Sequence, residues 1–218
     1  MSLPRPSFLL FDWDNTLIDS WDCLREALNA TFRQFGLPEW SKDETKARVA
    51  LSLRDSFPKL FGDRWEEARG VYHANFEAVH LKRLAPLPGT AEMLEQLFQL
   101  GLPMAVVSNK TGRYLRQEAQ HLGWEPYFRQ LVGANDAPRD KPASEPVLMA
   151  LDGSGVGLGA HVWLAGDSPI DMECARNAGA TPILLRAEEP GRGEFDHAPF
   201  ARHVPSGEDY IALVRSLI

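Results

Sequence analysis

Two carboxylates, Asp12 and Asp14, follow directly on the apolar run Phe8-Leu-Leu-Phe11. In extended chain, residues i and i+2 point to the same side. The two would repel unless something divides their charge. A hard cation does this: Mg²⁺ prefers oxygen ligands and keeps several waters. The alternative use of the pair is a solvated turn, with Asp14 or Asn15 capping the chain locally. A second acidic pair, Asp167 and Asp171, follows the apolar run His161-Val-Trp-Leu-Ala165. Four residues apart on a helical start, they share a face. They equally suit a helix N-terminus, where the dipole favours acidic residues. The two uses are compatible, with Asp171 reaching an ion through water.

Three more residue types complete a possible anion site. Ser108 and Asn109 end the apolar run Pro103-Met-Ala-Val-Val107 and offer a hydroxyl and an amide. Their alternative is a plain helix start capped by Thr111. Lys141 precedes Pro142 in a loop that also holds Asp136, Arg139 and Asp140. A lysine can hold a carboxylate nucleophile in place and neutralise a phosphoryl oxygen; a loop lysine can also simply be solvated.

These residues need a scaffold that brings four chain segments to one rim. Short apolar runs at Phe8–Phe11, Pro103–Val107, Gln130–Gly133, His161–Ala165 and Ile183–Leu185 read as strands, the last as the final core strand. Helical patterns separate them: Ala91 to Phe98, Thr111 to Gly123, Glu145 to Leu151 and Met172 to Ala178, with a C-terminal helix over Glu208 to Leu217. Strands alternating with helices predict an α/β fold, a Rossmann-like parallel sheet flanked by helices. In such open sheets ligands bind outside the carboxyl ends of the strands, where every residue above falls. Residues 19–85 depart from the alternation. Trp21 to Phe35 has helical spacing and is closed by Gly36 and Pro38, Ser41-Lys-Asp-Glu44 is a capping-box pattern, and a third helix covers about Arg64 to His80. The expected organisation is a core of residues 1–18 and 86–218, with a small all-helical cap domain, 19–85, inserted after the first strand.

Composition narrows the function. The 218 residues carry 23 Lys+Arg against 30 Asp+Glu, a net charge of −7. An acidic chain without a basic run is a poor binder of nucleic acid or anionic lipid. No apolar stretch nears the ~18 residues of a membrane span. The two cysteines, Cys23 and Cys174, exclude a disulfide scaffold and suit a reducing, cytoplasmic setting. Without a secretory signal, Asn29-Ala-Thr31 and Asn109-Lys-Thr111 match the glycosylation pattern by chance.

Taken together, Phe11-Asp-Trp-Asp-Asn-Thr-Leu-Ile-Asp-Ser20, Val107-Ser-Asn-Lys110, Lys141-Pro142 and Gly166-Asp-Ser-Pro-Ile-Asp171 resemble the motifs of the haloacid dehalogenase (HAD) superfamily of phosphohydrolases. The chain looks closest to the phosphoglycolate phosphatase-like members with a helical cap. The motifs occur in the family's order over nearly the whole chain. The resemblance implies that Asp12 is the nucleophile and that Asp14 protonates the leaving oxygen, then activates water. It implies Mg²⁺ on the Asp12 carboxylate, the Asp14 backbone carbonyl and Asp167, with Asp171 mostly through water. Ser108, Asn109 and Lys141 would hold phosphoryl oxygens. Asn15 stands where many relatives have glycine, but tolerates left-handed backbone better than most residues. Trp13 replaces a more usual leucine and is expected to pack away from the site.

The reading is thus a Mg²⁺-dependent phosphomonoesterase for a small phosphorylated metabolite, monomeric or a homodimer. Its rivals are a phosphosugar mutase of the same superfamily and a non-catalytic binding protein on the same fold. Other signals are set aside. Gly153-Ser-Gly-Val-Gly-Leu-Gly159 precedes a strand instead of following one, and reads as a flexible connection. His73 and His80, seven apart with no third ligand nearby, read as surface or packing residues. Lys110, Arg113 and Arg116 read as a solvated helix face, and Arg48, Arg54 and Lys59 as cap residues that meet either a substrate anion or water.

Overall fold

The computed structural model describes residues 3–218. In chain order the elements are β1 (Phe8–Phe11), α1 (Trp21–Phe35), α2 (Lys42–Arg48), α3 (Leu53–Phe61), α4 (Trp65–Val79), α5 (Thr90–Gln99), β2 (Met104–Thr111), α6 (Gly112–His121), β3 (Leu131–Ala134), α7 (Glu145–Leu151), β4 (Val162–Gly166), α8 (Pro169–Asn177), β5 (Thr181–Leu185), β6 (Arg202–Val204) and α9 (Gly207–Arg215). The sheet is parallel throughout, in the order β3-β2-β1-β4-β5-β6. The α/β expectation holds.

Both faces of the sheet are covered, which is why its strands are continuous apolar runs instead of alternating ones. Side chains still divide by the period of two. Leu9, Phe11, Val106, Trp163 and Ile183 pack one way, against α5, α6 and α9. Phe8, Leu10, Val107, Val162 and Leu164 pack the other way, with Val147, Leu151, Cys174 and Ala175 of α7 and α8.

Helices α1 to α4 fall between β1 and β2 and have an apolar cluster of their own. It holds Leu24, Leu28, Phe32, Phe57, Ala68, Tyr72 and Phe76, and Tyr114 of α6 joins it from the sheet side. The Ser41 capping box forms: its side chain accepts from Glu44 N–H, and Glu44 accepts from Ser41 N–H. The chain enters and leaves this helical segment at one place. Asp19 N–H donates to the Ala85 carbonyl, Leu87 N–H donates to that of Leu17, and Ile18 bridges Pro86.

Two elements depart from the sequence expectation. Helix α3 has no counterpart among the expected helices; it contains Pro58, which removes one backbone donor. Burial of Phe57 against Phe61 and Tyr72 sustains the helix around it. Ile183–Leu185 is also not the last strand: β6 adds a short edge beyond β5, and only Val204 of its three residues is buried. No helix is long and apolar enough to cross a membrane among the described residues.

Candidate active site

The strand ends meet on one rim. Asp12 leaves β1 with its N–H donating to the Ala165 carbonyl of β4 at 2.8 Å, which sets it beside the acidic turn after that strand. One oxygen from each of Asp12, Asp167 and Asp171 lies within 4.8 Å of the others. Lys141 Nζ closes the group, donating to Asp12 Oδ1 and Asp171 Oδ1 at 2.6 Å each. Burial pushes the Asp12 carboxyl up to about 6 against the pull of Lys141. Burial, with Asp171 and Asp12 alongside, also raises Asp167 well above the usual carboxylate range. Burial works against the Lys141 cation too, but Asp12 and Asp171 outweigh it and hold the ammonium above its ordinary pKa.

Local structure explains how each carboxylate is aimed. Asp171 stands at the start of α8, and its Oδ2 accepts from the Ser168 N–H at 3.1 Å and hydroxyl at 2.6 Å. Its other oxygen is thereby left to Lys141. Asp167 Oδ1 accepts from Thr16 Oγ1 at 3.3 Å. Its carbonyl accepts from Arg186 Nη1 at 3.0 Å, and Arg186 is itself clamped by both oxygens of Glu194 at 2.7 Å. Asn15 takes the left-handed backbone expected of it, φ 64°, and its Oδ1 accepts from Ser20 N–H at 3.1 Å. The Asp14 carboxylate does not join the Asp12, Asp167 and Asp171 oxygens that gather on the rim. Asp14 Oδ1 accepts instead from Lys110 Nζ and Ser20 Oγ.

Ser108 is buried on the rim, and its Oγ accepts from Lys110 N–H at 3.2 Å, leaving the hydroxyl proton free. Asn109 reaches the same rim but is otherwise engaged. Its Nδ2 donates to the carbonyls of Ala50 at 3.1 Å and Lys141 at 3.2 Å, tying the helical segment to the lysine loop.

The sequence model of the haloacid dehalogenase-like hydrolases matches residues 9–185. The chain belongs to this family. A phosphoglycolate phosphatase of Aquifex aeolicus is 30% identical over 177 residues, 81% of this chain and 83% of the relative. Pyrophosphatase PpaX of Halalkalibacterium halodurans is 25% identical over 209 residues, 94% of this chain and 96% of the relative. Among solved structures, a haloacid dehalogenase-like family hydrolase of Streptococcus pneumoniae superposes with a TM-score of 0.83 at 20% identity. It covers 95% of this chain and 98% of that one, a likeness of fold.

In this hydrolase a cleft of about 780 Å³ lies between the rim and helices α1 to α4. Asp12, Asp14, Ser108 and Lys141 line its floor, and Trp40, Leu53, Leu60 and Phe76 its far wall. Arg54 is tied down, its Nε 2.7 Å from Asp140. Arg113 and Arg116 are exposed, as the sequence suggests, but Lys110 is not: it is buried beneath the rim with Glu118 and His80. The overlooked signal was the strand period. Ser108 and Lys110 are i and i+2 of β2, so they share a side. Trp13 packs away from the cleft, fully buried against Trp124 and Phe128. Cys23 and Cys174 are buried free thiols, each pushed up to about 12 chiefly by burial, which keeps them inert.

Proposed function

We propose that this chain is a Mg²⁺-dependent phosphomonoesterase acting on a small phosphorylated metabolite through an aspartyl-phosphate. The observation that carries the reading is the Lys141 ammonium, bonded at 2.6 Å to both Asp12 and Asp171 within the acidic group on the rim. The donor set fits a hard cation. It is all oxygen, and burial with mutual repulsion disfavours the ionised forms of Asp12 and Asp167. Asp12, Asp167 and Asp171, with the Asp14 carbonyl, would hold Mg²⁺. When bound, the ion supplies charge neutralisation that lets an anionic phosphoryl group approach an anionic carboxylate.

The side chains then divide the work. Lys141 and Ser108 hold phosphoryl oxygens, and Asn109 joins them by giving up its bond to Ala50. An Asp12 oxygen attacks phosphorus, the ester P–O bond breaks, and Asp14 gives its proton to the departing oxygen. Asp14, now a carboxylate, takes a proton from water as that water attacks the aspartyl-phosphate, releasing inorganic phosphate and restoring Asp12. Residues 19–85 act as a cap domain over a core of 1–18 and 86–218, excluding bulk water during both steps. The names of relatives support a phosphoglycolate-like ester, with a phosphoric anhydride as the other member of the class.

The test is a phosphatase screen over metabolite esters, pyrophosphate included, with and without Mg²⁺. Phosphate release that needs Mg²⁺ and vanishes in Asp12→Asn is expected. Turnover surviving that substitution would remove the covalent mechanism. Beryllofluoride, which mimics a phosphoryl group on Asp12, should bind the wild type only when Mg²⁺ is present.

A further inference from the structure

Beneath Asp14 lies a buried polar chain that the proposed reaction leaves without a task. Lys110 Nζ donates to Asp14 Oδ1 at 2.5 Å and stands 3.1 Å from Glu118 Oε2. The same Glu118 oxygen accepts Trp13 Nε1–H at 2.7 Å, and its Oε1 lies 3.0 Å from His80 Nδ1. The side chains of Lys110, Glu118 and His80 are 4%, 2% and 2% exposed. Burial disfavours the Glu118 carboxylate, but Lys110, His80 and Trp13 outweigh it and hold its pKa below the usual value.

One ammonium and one carboxylate, Lys110 and Glu118, already close a buried pair, and an unpaired buried ion is strongly disfavoured. The bond to Asp14 is therefore surplus to burying Lys110. The anchor is also rigid. Glu118 is held by Lys110 of β2, by His80 just after α4 and by Trp13 in the turn after β1. Both hydrogen bonds that reach the Asp14 carboxylate, from Lys110 and from Ser20, fall on Oδ1. Asp14 lines the cleft, and its Oδ2 receives neither bond.

We propose that Lys110, anchored by Glu118, Trp13 and His80, is a positioning residue that pins Asp14 Oδ1 and leaves Oδ2 as the oxygen presented to the leaving group. This rests on the phosphatase reading above. Lys110 does for Asp14 what Lys141 does for Asp12, its ammonium spent on Asp14 and Glu118. Removing it would let the Asp14 carboxylate rotate, and about 1 Å of misplacement can cost on the order of 10²-fold.

The experiment is a double-mutant cycle between Lys110→Met and Asp14→Asn. Each variant is read on an alkyl phosphate and on nitrophenyl phosphate, whose leaving group needs little protonation. Lys110→Met should lower kcat/KM on the alkyl ester by about 10²-fold and largely spare kcat/KM on nitrophenyl phosphate, because kcat/KM reports the step that expels the leaving group and not the later hydrolysis, in which Asp14 serves both esters alike. Added to Asp14→Asn it should cost nothing further, because the two act as one unit. Glu118→Gln keeps the shape of the anchor and should show the same dependence on leaving group at smaller size. It also carries the test should Lys110→Met not fold. Equal losses of kcat/KM on both esters, or losses that multiply in the double variant, would overturn the positioning role while leaving the phosphatase reading intact. A wild type without Mg²⁺-dependent phosphatase activity would overturn both.

Discussion

Gly166 and Asp171 are packed so closely that a Cβ on the glycine would lie 2.3 Å from the Asp171 Cγ. The last residue of β4 must therefore be bare for the carboxylate of α8 to fold back over it. Gly166→Ala is expected to push Asp171 off Lys141 and Ser168. Overpacking of this kind costs about 1–3 kcal/mol, and the larger effect should be on the ion. Isothermal titration with Mg²⁺ should show weakened binding in a variant that still folds, and unchanged affinity would show that Asp171 is not needed for the ion.

Asp14→Asn keeps shape but removes the transferable proton. It should slow hydrolysis of alkyl phosphates by about 10²–10⁴-fold, the usual value of acid–base help. The loss should shrink for nitrophenyl phosphate. Values of kcat/KM over esters of graded leaving-group pKa measure this, since they report phosphoryl transfer to Asp12 and not the hydrolysis that follows, and a uniform loss of kcat/KM would count against Asp14 as the acid.

Metal-free protein should lose stability as pH rises. Asp12 moves from 3.8 up to about 6 on folding, and Asp167 also rises. A carboxyl whose pKa is raised in the folded state binds protons more tightly there than in the unfolded chain. Its contribution is fully present below about pH 4 and is lost as pH passes through about 6. Mg²⁺ replaces the missing protons, so its effect on Tm should be larger at pH 7.5 than at pH 5. Melting curves with EDTA or Mg²⁺ at both values check the sign.

Exchanging residues 19–85 for the helical segment of a relative should change which ester is cleaved. It should leave Mg²⁺ dependence and beryllofluoride binding in place, since the acidic group lies wholly on the sheet side. Specificity constants over one substrate panel, before and after the exchange, provide the comparison. A folded chimera with the original ranking would show that these helices do not select the substrate.

The rim was readable because parallel strands buried on both faces announce themselves as apolar runs, and the residues after each run must gather at one end. Lys110 shares its charge and helix-like spacing with the exposed Arg113 and Arg116, and only its place in β2 separates it from them. Pro58 hid α3, because a missing backbone donor outweighs Phe57 until the packing partners of Phe57 are known. Arg202-His-Val204 hid β6, since a short edge strand needs little apolar surface. Asn109 could be placed on the rim but not oriented, because its partner carbonyls at Ala50 and Lys141 lie far away in sequence.

The sheet order also sets a timetable. β1 pairs with β2 on one side and β4 on the other, so Leu9 waits for Met104 and then for Trp163. At a ribosomal pace of about 5–20 residues per second, the second partner follows roughly ten to thirty seconds after the first strand is made. Through that interval Phe8–Phe11 has no finished sheet to enter, while residues 21–79 already contain an apolar cluster around which to collapse. Asp12 is separated by 129 positions from the lysine that steadies it. The strand at the centre of the sheet is thus translated before the other five and closed only after most have emerged, so no nascent chain that stops short of Asp171 can hold the rim together.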